Sequence, residues 1–166
     1  MTETMNYDLA VIGAGSAGFS AAITAAGEGA NVALIGYGLI GGTCVNVGCV
    51  PSKTMIRAAE ALHGARAADR FAGITGDARV TDWKKLVAAK DTLVETLRPK
   101  KYIDLLPEYN GVAYLEGAAQ IAAGGVIVNG TAIATDRVII ATGSAPALPD
   151  IPGIAETPYL TSTTAL

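Results

Sequence analysis

Charge is scarce in this chain: Asp, Glu, Lys and Arg make up only 16% of its 166 residues, against about a quarter in ordinary soluble domains. The balance is −3 and no basic stretch occurs, which excludes nucleic acid as the main partner, since nothing would neutralise its phosphates. Two cysteines and one histidine are too few for a disulfide-stapled scaffold. They also argue against a zinc site, because His63 has no second cysteine pair to join; His63 reads as a surface or packing residue. Residues 1–5, Met-Thr-Glu-Thr-Met, lack the basic start of a secretory leader, so a cytoplasmic location is expected. With 51% apolar residues the chain is not disordered, and its length suits one domain. So apolar a composition fits a piece of a larger protein whose other parts cover some of this surface.

Two runs carry no charge at all, Leu9 to Gly27 and Gly29 to Ser52. Each is long enough to span a bilayer, but the glycines that interrupt both, with Asn31, Asn46 and Pro51 in the second, would not sustain a helix in lipid. They read instead as buried elements. Tyr7 to Ile12 and Asn31 to Ile35 are parallel strands with little polar content, and Ser16 to Glu28 is an alanine-rich helix between them, a β-α-β unit. Gly36 to Gly48 reads as a glycine-rich loop. A helix is predicted from Cys49 or Pro51 to Arg66 with Met55, Ala58, Ala59 and Leu62 on one face, Pro51 fitting its first turn. Asp82 is a candidate N-cap for a second helix running through Leu86, Val87, Leu93 and Leu97 to about Leu106, kinked or split by Pro99 near Arg98. Glycine turns then separate Val112–Leu115, Ala119–Ile121, Val126–Val128 and Thr131–Ile133, which predicts an antiparallel meander. Arg137 to Thr142 reads as a fully buried strand rejoining the first sheet, and the four prolines between Ala145 and Pro158 mark a linker.

Gly13-Ala14-Gly15-Ser16-Ala17-Gly18 is a GxGxxG that follows a strand and opens a helix. Gly13 permits the tight turn, Gly15 lets the backbone approach a pyrophosphate, and Gly18 lets helix and strand pack closely. The helix N-terminus offers free N–H groups to the phosphates. The acid that should end the second strand and bind the adenosine ribose is absent, because Gly36 and Tyr37 stand there and the nearest acid on that side is Glu28. Losing two charge-assisted bonds weakens affinity by roughly two decades, so Gly36→Glu is expected to tighten dinucleotide binding. Cys44 and Cys49 bridge this loop into a helix. They can close a short disulfide or stay as thiols, and a thiolate at the helix N-terminus would have a lowered pKa.

The segment Gly41-Gly42-Thr43-Cys44-Val45-Asn46-Val47-Gly48-Cys49-Val50-Pro51-Ser52-Lys53 resembles the active-site segment of the FAD-dependent pyridine nucleotide–disulfide oxidoreductases. Thr135 to Gly143 is similar to that family's second FAD segment, and the resemblance covers essentially the whole chain. Val45 and Val50 beside the cysteines, Met55 to Ala59, Ser144 to Pro146 and Pro158 to Thr163 are closest to the branch that reduces the mercuric ion.

The resemblance implies an α/β, Rossmann-like FAD-binding domain, a parallel sheet with helices and an inserted antiparallel meander, over residues 1–166, with 145–166 leading toward an NAD(P)H-binding domain. It implies FAD as cofactor, NADPH as electron donor and a homodimer for the full-length parent, with Hg(II) as substrate and neither nucleic acid nor membrane as partner. Cys49 would be the flavin-proximal thiol, Cys44 the interchange thiol, both transient ligands of Hg(II), and Lys53 would lie near the flavin's reactive edge. Gly13, Gly15, Ser16 and Ala17 would hold the pyrophosphate, with Gly18 grouped among the cofactor-binding residues. Gly42, Thr43 and Lys53 would line the flavin side, Gly117 and Ala118 the adenine end, and Ala141, Thr142 and Gly143 the nucleotide. The chain alone is expected to turn over negligibly. The alternatives are a lipoamide-type disulfide oxidoreductase, a flavin-binding module without turnover, and a thiol protein binding a soft metal without flavin.

Overall fold

The apolar run before Gly13 and the one before Tyr37 lie side by side at the centre of the molecule. The computed structural model describes residues 5–166, and the reading of residues 1–4 as lacking a basic leader lies outside them. After a short β1 (Met5–Asn6) come β2 (Leu9–Ile12), α1 (Ser16–Gly27) and β3 (Val32–Gly36). β2 and β3 pair in parallel from Leu9↔Val32 to Ile12↔Ile35, so the predicted β-α-β unit is present. Ala10, Val11, Val32, Ala33 and Leu34 are fully buried. Both faces of these strands are covered, which is why neither alternates apolar with polar residues.

The stretch expected to be loop from Gly36 to Gly48 contains a helix, α2 (Gly42–Val47). Its interior carries no glycine, and the Asn46 side chain closes it by donating to the Gly42 carbonyl at 2.8 Å. α3 (Cys49–Arg66) follows directly, with Pro51 buried in its first turn and His63 exposed. Of the predicted inner face, Met55, Ala58 and Leu62 are half-buried and Ala59 is exposed. Asp82 caps α4 (Trp83–Arg98), accepting the Lys85 N–H at 3.0 Å. The regular helix stops at Arg98 as predicted, and Pro99 opens a wider turn in which the Asp104 N–H donates to the Pro99 carbonyl at 2.9 Å. The ring of Tyr102, buried in that turn, meets Phe19 of α1 edge-on, with centroids 5.1 Å apart.

The last third holds β4 (Val112–Glu116), β5 (Ala119–Ala122), β6 (Gly125–Val128), β7 (Thr131–Ala134) and β8 (Val138–Ile140). Only β5, β6 and β7 form the antiparallel meander, with β1 added parallel to β7. β4, expected in that meander, instead pairs in parallel with β3 from Val32↔Val112 to Gly36↔Glu116. Its Val112 and Tyr114 pack toward α1 while Leu115 packs the other way. A strand with apolar groups on both faces suits a covered parallel sheet better than a one-sided hairpin. β8 rejoins the parallel sheet beside β2, completing the order β4-β3-β2-β8. It is not the fully buried strand predicted: Ile139 and Ile140 are exposed, because β8 is an edge strand with nothing packed over those two side chains.

The result is a Rossmann-like α/β layer structure. α1 covers one face of the parallel sheet through Leu9, Val11, Phe19, Ala22, Val32 and Leu34. The meander covers the other, where Val126, Val128 and Ile133 pack on Ala10, Ala33 and Ile35. Each fully buried Leu or Ile contributes about 1.5–3 kcal/mol. The C-terminal ends of β2 and β3 therefore open at one edge of a firmly held core, where loops and the N-terminus of α1 meet. Among the described residues no helix is long and apolar enough to cross a membrane.

Candidate active site

Gly13 leaves β2 with φ +114°, a conformation that L side chains rarely adopt, and a Cβ there would stand 2.1 Å from the Ala141 carbonyl oxygen. The chain then enters α1 through Gly15 without a side-chain cap and with no acid in the first turn. The leading N–H groups of α1 are thus left for an anion. Gly15 forms an isolated parallel bridge with Gly41, and a Cβ on Gly42 would lie 2.8 Å from the Gly15 Cα. This contact brings the cysteine-bearing segment against the turn before α1. The space between them is a cleft of about 590 Å³, within the usual range for a small-molecule site.

The structure brings most of the sequence-predicted residues to this cleft. Gly13, Gly15, Ser16, Ala17, Gly42, Thr43, Cys44, Gly117, Ala118, Ala141, Thr142 and Gly143 all line it. Gly18, grouped with the cofactor contacts, does not. A Cβ there would fall 1.8 Å from the Gly13 carbonyl oxygen and 3.3 Å from Val11 Cγ1, so its part is helix–strand packing. Cys49 and Lys53 also stand outside the lining, both exposed in the first two turns of α3.

Cys44 is half-buried near the start of α2 and Cys49 is exposed as the first residue of α3; both are free thiols. A hydrogen bond with the Cys49 side chain, then burial, then the charge of Cys49 hold the Cys44 thiol above its ordinary pKa; the Cys49 backbone and Lys101 oppose this more weakly. For Cys44, which lies in α2 and not at the start of α3, the shift is thus upward. Cys49→Ala removes the leading cause. We expect the pH midpoint for alkylation of Cys44 to fall and its rate at pH 8 to rise in that variant, followed by mass spectrometry of the Cys44 peptide. An unmoved midpoint would mean that Cys49 does not govern this thiol.

Sequence reasoning passed over the residues that hold the cysteine segment in place. Asn46 donates to the carbonyls of Ile40 at 3.1 Å and Gly42 at 2.8 Å, and accepts from Arg98 Nε at 2.5 Å. Asn46 lies inside the cysteine spacing, which was the available signal; Arg98 gave none beyond ending α4. Ser16 shares a hydrogen bond with the Tyr102 hydroxyl at 3.1 Å, a contact that the wide turn after Pro99 makes possible.

Position 36 also differs from the expectation drawn from sequence. Gly36 is buried at the end of β3, and a Cβ there would lie 2.6 Å from Tyr114 Oη, 2.8 Å from Tyr114 Cε2 and 2.9 Å from Ala14 Cβ. Gly36→Glu therefore cannot simply supply the missing acid, since both neighbours would have to move. Tyr114, not singled out from sequence, lines the cleft.

Residues 7–166 match the family described as pyridine nucleotide-disulphide oxidoreductase. The chain belongs to that family. Over 96% of its length it is 49% identical to a mercuric reductase of Streptomyces lividans, and over 97% it is 48% identical to one of Staphylococcus aureus. It spans 35% and 29% of those relatives, about a third of their length. Among solved structures it is similar to the HOCl-induced flavoprotein disulfide reductase RclA of Escherichia coli, with a TM-score of 0.75 and 30% identity, over 96% of this chain and 33% of that one. A Cu(II) complex of the same protein matches with a TM-score of 0.73. As an oxidoreductase-family chain, then, it carries its glycine turn and its cysteine pair at one edge of a Rossmann-like domain.

Proposed function

We propose that the chain is the FAD-binding, cysteine-bearing portion of a mercuric reductase, and that the protein to which it belongs reduces Hg(II) to Hg(0) with NADPH. The balance is Hg²⁺ plus NADPH giving Hg⁰, NADP⁺ and one proton. The observation that carries the reading is that Cys44 lines the same cleft as the glycine turn of α1, while Cys49 opens the helix that follows directly. The names of the relatives point to the metal, and soft thiolates suit a soft cation.

The cradle fits a dinucleotide: the backbones of Gly13, Gly15 and Gly42 approach where side chains would fill the space, and α1 presents uncapped N–H groups. Gly13, Gly15, Ser16 and Ala17 would hold the diphosphate. Gly42, Thr43 and Lys53 would serve the flavin side, Gly117 and Ala118 the adenine end, and Ala141, Thr142 and Gly143 the remaining nucleotide. Bound FAD supplies two-electron chemistry between a hydride donor and the cysteine pair. The family resemblance gives Cys49 as the flavin-proximal thiol and Cys44 as the interchange thiol, whereas in the structure it is Cys44 that lines the cleft and Cys49 that stands outside it. In this reading residues 145–166 lead toward an NADPH-binding domain, the parent is a homodimer, and it works in the cytoplasm.

The test is a visible absorption spectrum of the purified chain after incubation with FAD and desalting. Flavin absorbance is expected to travel with the protein, while NADPH-dependent Hg(II) reduction by this chain alone stays negligible. A colourless protein would overturn the flavin reading and leave a thiol pair as its metal-binding element.

A further inference from the structure

A β-α-β nucleotide site ordinarily places an acid at the end of its second strand to bind the ribose hydroxyls. Here that strand ends at the buried Gly36. The next residue, Tyr37, is 84% exposed. Glu28 sits at the far end of α1, about 18 Å along a helix of this length from the phosphate cradle.

The space is nevertheless not vacant. The phenolic oxygen of Tyr114, from the neighbouring strand β4, stands 2.6 Å from where a Cβ at position 36 would be. The Tyr114 ring packs against the α1-side core, and the residue lines the same cleft as the glycine turn. Among the described residues its hydroxyl has no hydrogen-bond partner within the protein. We infer that Tyr114 replaces the missing acid: its hydroxyl, held over Gly36, is the group that binds the adenosine ribose. This rests on the nucleotide reading of the cleft given above.

The chemistry suits the role. A neutral phenol donates one hydrogen bond and accepts others, so it can pair with a ribose hydroxyl in either sense. Burial, and then the charge of Glu116, raise the Tyr114 pKa above its ordinary value, so the hydroxyl keeps its proton near neutrality. Glu116 is registered with Gly36 across the β3–β4 pair, which puts it on the same face as Tyr114, two residues on. Gly36 and Tyr114 thus form a matched pair: the small residue on one strand admits the long one from the next. A carboxylate at 36 and the phenol compete for one space.

The purified chain would be titrated calorimetrically with FAD, ADP, 2′-deoxy-ADP and 3′-deoxy-ADP, as wild type and as Tyr114→Phe, which keeps the ring. Wild type is expected to bind at least one deoxy analogue about 3–10-fold more weakly than ADP. Tyr114→Phe should bind FAD and ADP weaker by a similar factor and lose that discrimination. A Tyr114→Phe chain that still discriminates as wild type does would overturn the inference. Gly36→Glu should weaken FAD binding alone but tighten it in a Tyr114→Ala background; tightening with Tyr114 in place would overturn the competition. A wild-type chain that binds neither FAD nor ADP would overturn the nucleotide reading itself, and that outcome is distinct from the others.

Discussion

Gly13→Ala is expected to abolish flavin retention and to destabilise the fold, whereas Gly15→Ala should abolish retention while leaving the fold nearly intact. At position 13 an alanine would sit at φ +114° with its Cβ 2.1 Å from the Ala141 carbonyl oxygen. The disfavoured backbone alone costs about 1–3 kcal/mol. The carbonyl cannot easily yield either, because the Ala141 N–H donates to the Ile12 carbonyl at 2.7 Å and extends the pairing of β8 with β2. Together these put the loss at about 3–5 kcal/mol, a large share of a typical domain's stability. At position 15 the backbone has φ −81°, open to any residue, and the nearest atom to a new Cβ is Gly42 Cα at 3.6 Å. Stability should fall by about 1 kcal/mol or less, the cost of a poorer N-cap. The methyl group would nonetheless stand in the cleft where the proposed diphosphate would approach, and FAD affinity should drop at least about tenfold. Urea denaturation and flavin retention after desalting, measured on both variants, separate the two effects. A Gly15→Ala chain that holds FAD as wild type does would mean that the phosphates do not approach this backbone.

The contrast between those glycines follows from what the sequence could and could not reveal. The β-α-β unit was legible because its strands are covered on both faces and carry almost no polar residue, and because GxGxxG punctuates strand and helix in one pattern. Most of the residues expected at the cofactor do line one cleft, since they lie in segments whose local pattern places them at strand ends or a helix start. Gly18 packs helix on strand against the Gly13 carbonyl, the part its place in the motif predicts, and only its grouping with the cofactor contacts fails. β4 reads from sequence as part of the meander because short apolar runs divided by glycine look alike in parallel and antiparallel sheets, and only the pairing with β3 settles its place. That pairing also brings Tyr114 over Gly36, a contact between residues 78 positions apart that no local pattern signals. The fixing of Asn46 by Arg98 is likewise a tertiary contact, made by α4 folding back on the cysteine segment.

Cys44→Ser and Cys49→Ser should each cut retention of Hg(II) against a competing small monothiol by about 10²–10⁴-fold. Two protein thiols bind the ion by releasing two protons, forming two metal–sulfur bonds to one molecule. Once the first bond forms, the second is intramolecular and draws on a high effective concentration. With either cysteine gone, the second ligand must come from solution and that advantage is lost. The topology suits a chelate: Cys44 lies near the start of α2 and Cys49 opens α3, on either side of the Gly48 junction. Asn46 and Arg98 tie that junction down, so little further ordering is needed on binding. The competing monothiol also loses a proton for each metal–sulfur bond it makes, so the proton counts cancel while both kinds of thiol are protonated. Retention should rise with pH only where the monothiol is already ionised and Cys44, with its raised pKa, is not. Equilibrium dialysis of wild type and both variants against a fixed monothiol, repeated at two pH values, measures both effects. Equal losses in the two serine variants would identify the pair as the ligand set. Loss in Cys44→Ser alone would mean that the ion is held in the cleft by Cys44 with some other partner, and the two-thiol reading of the site would fail.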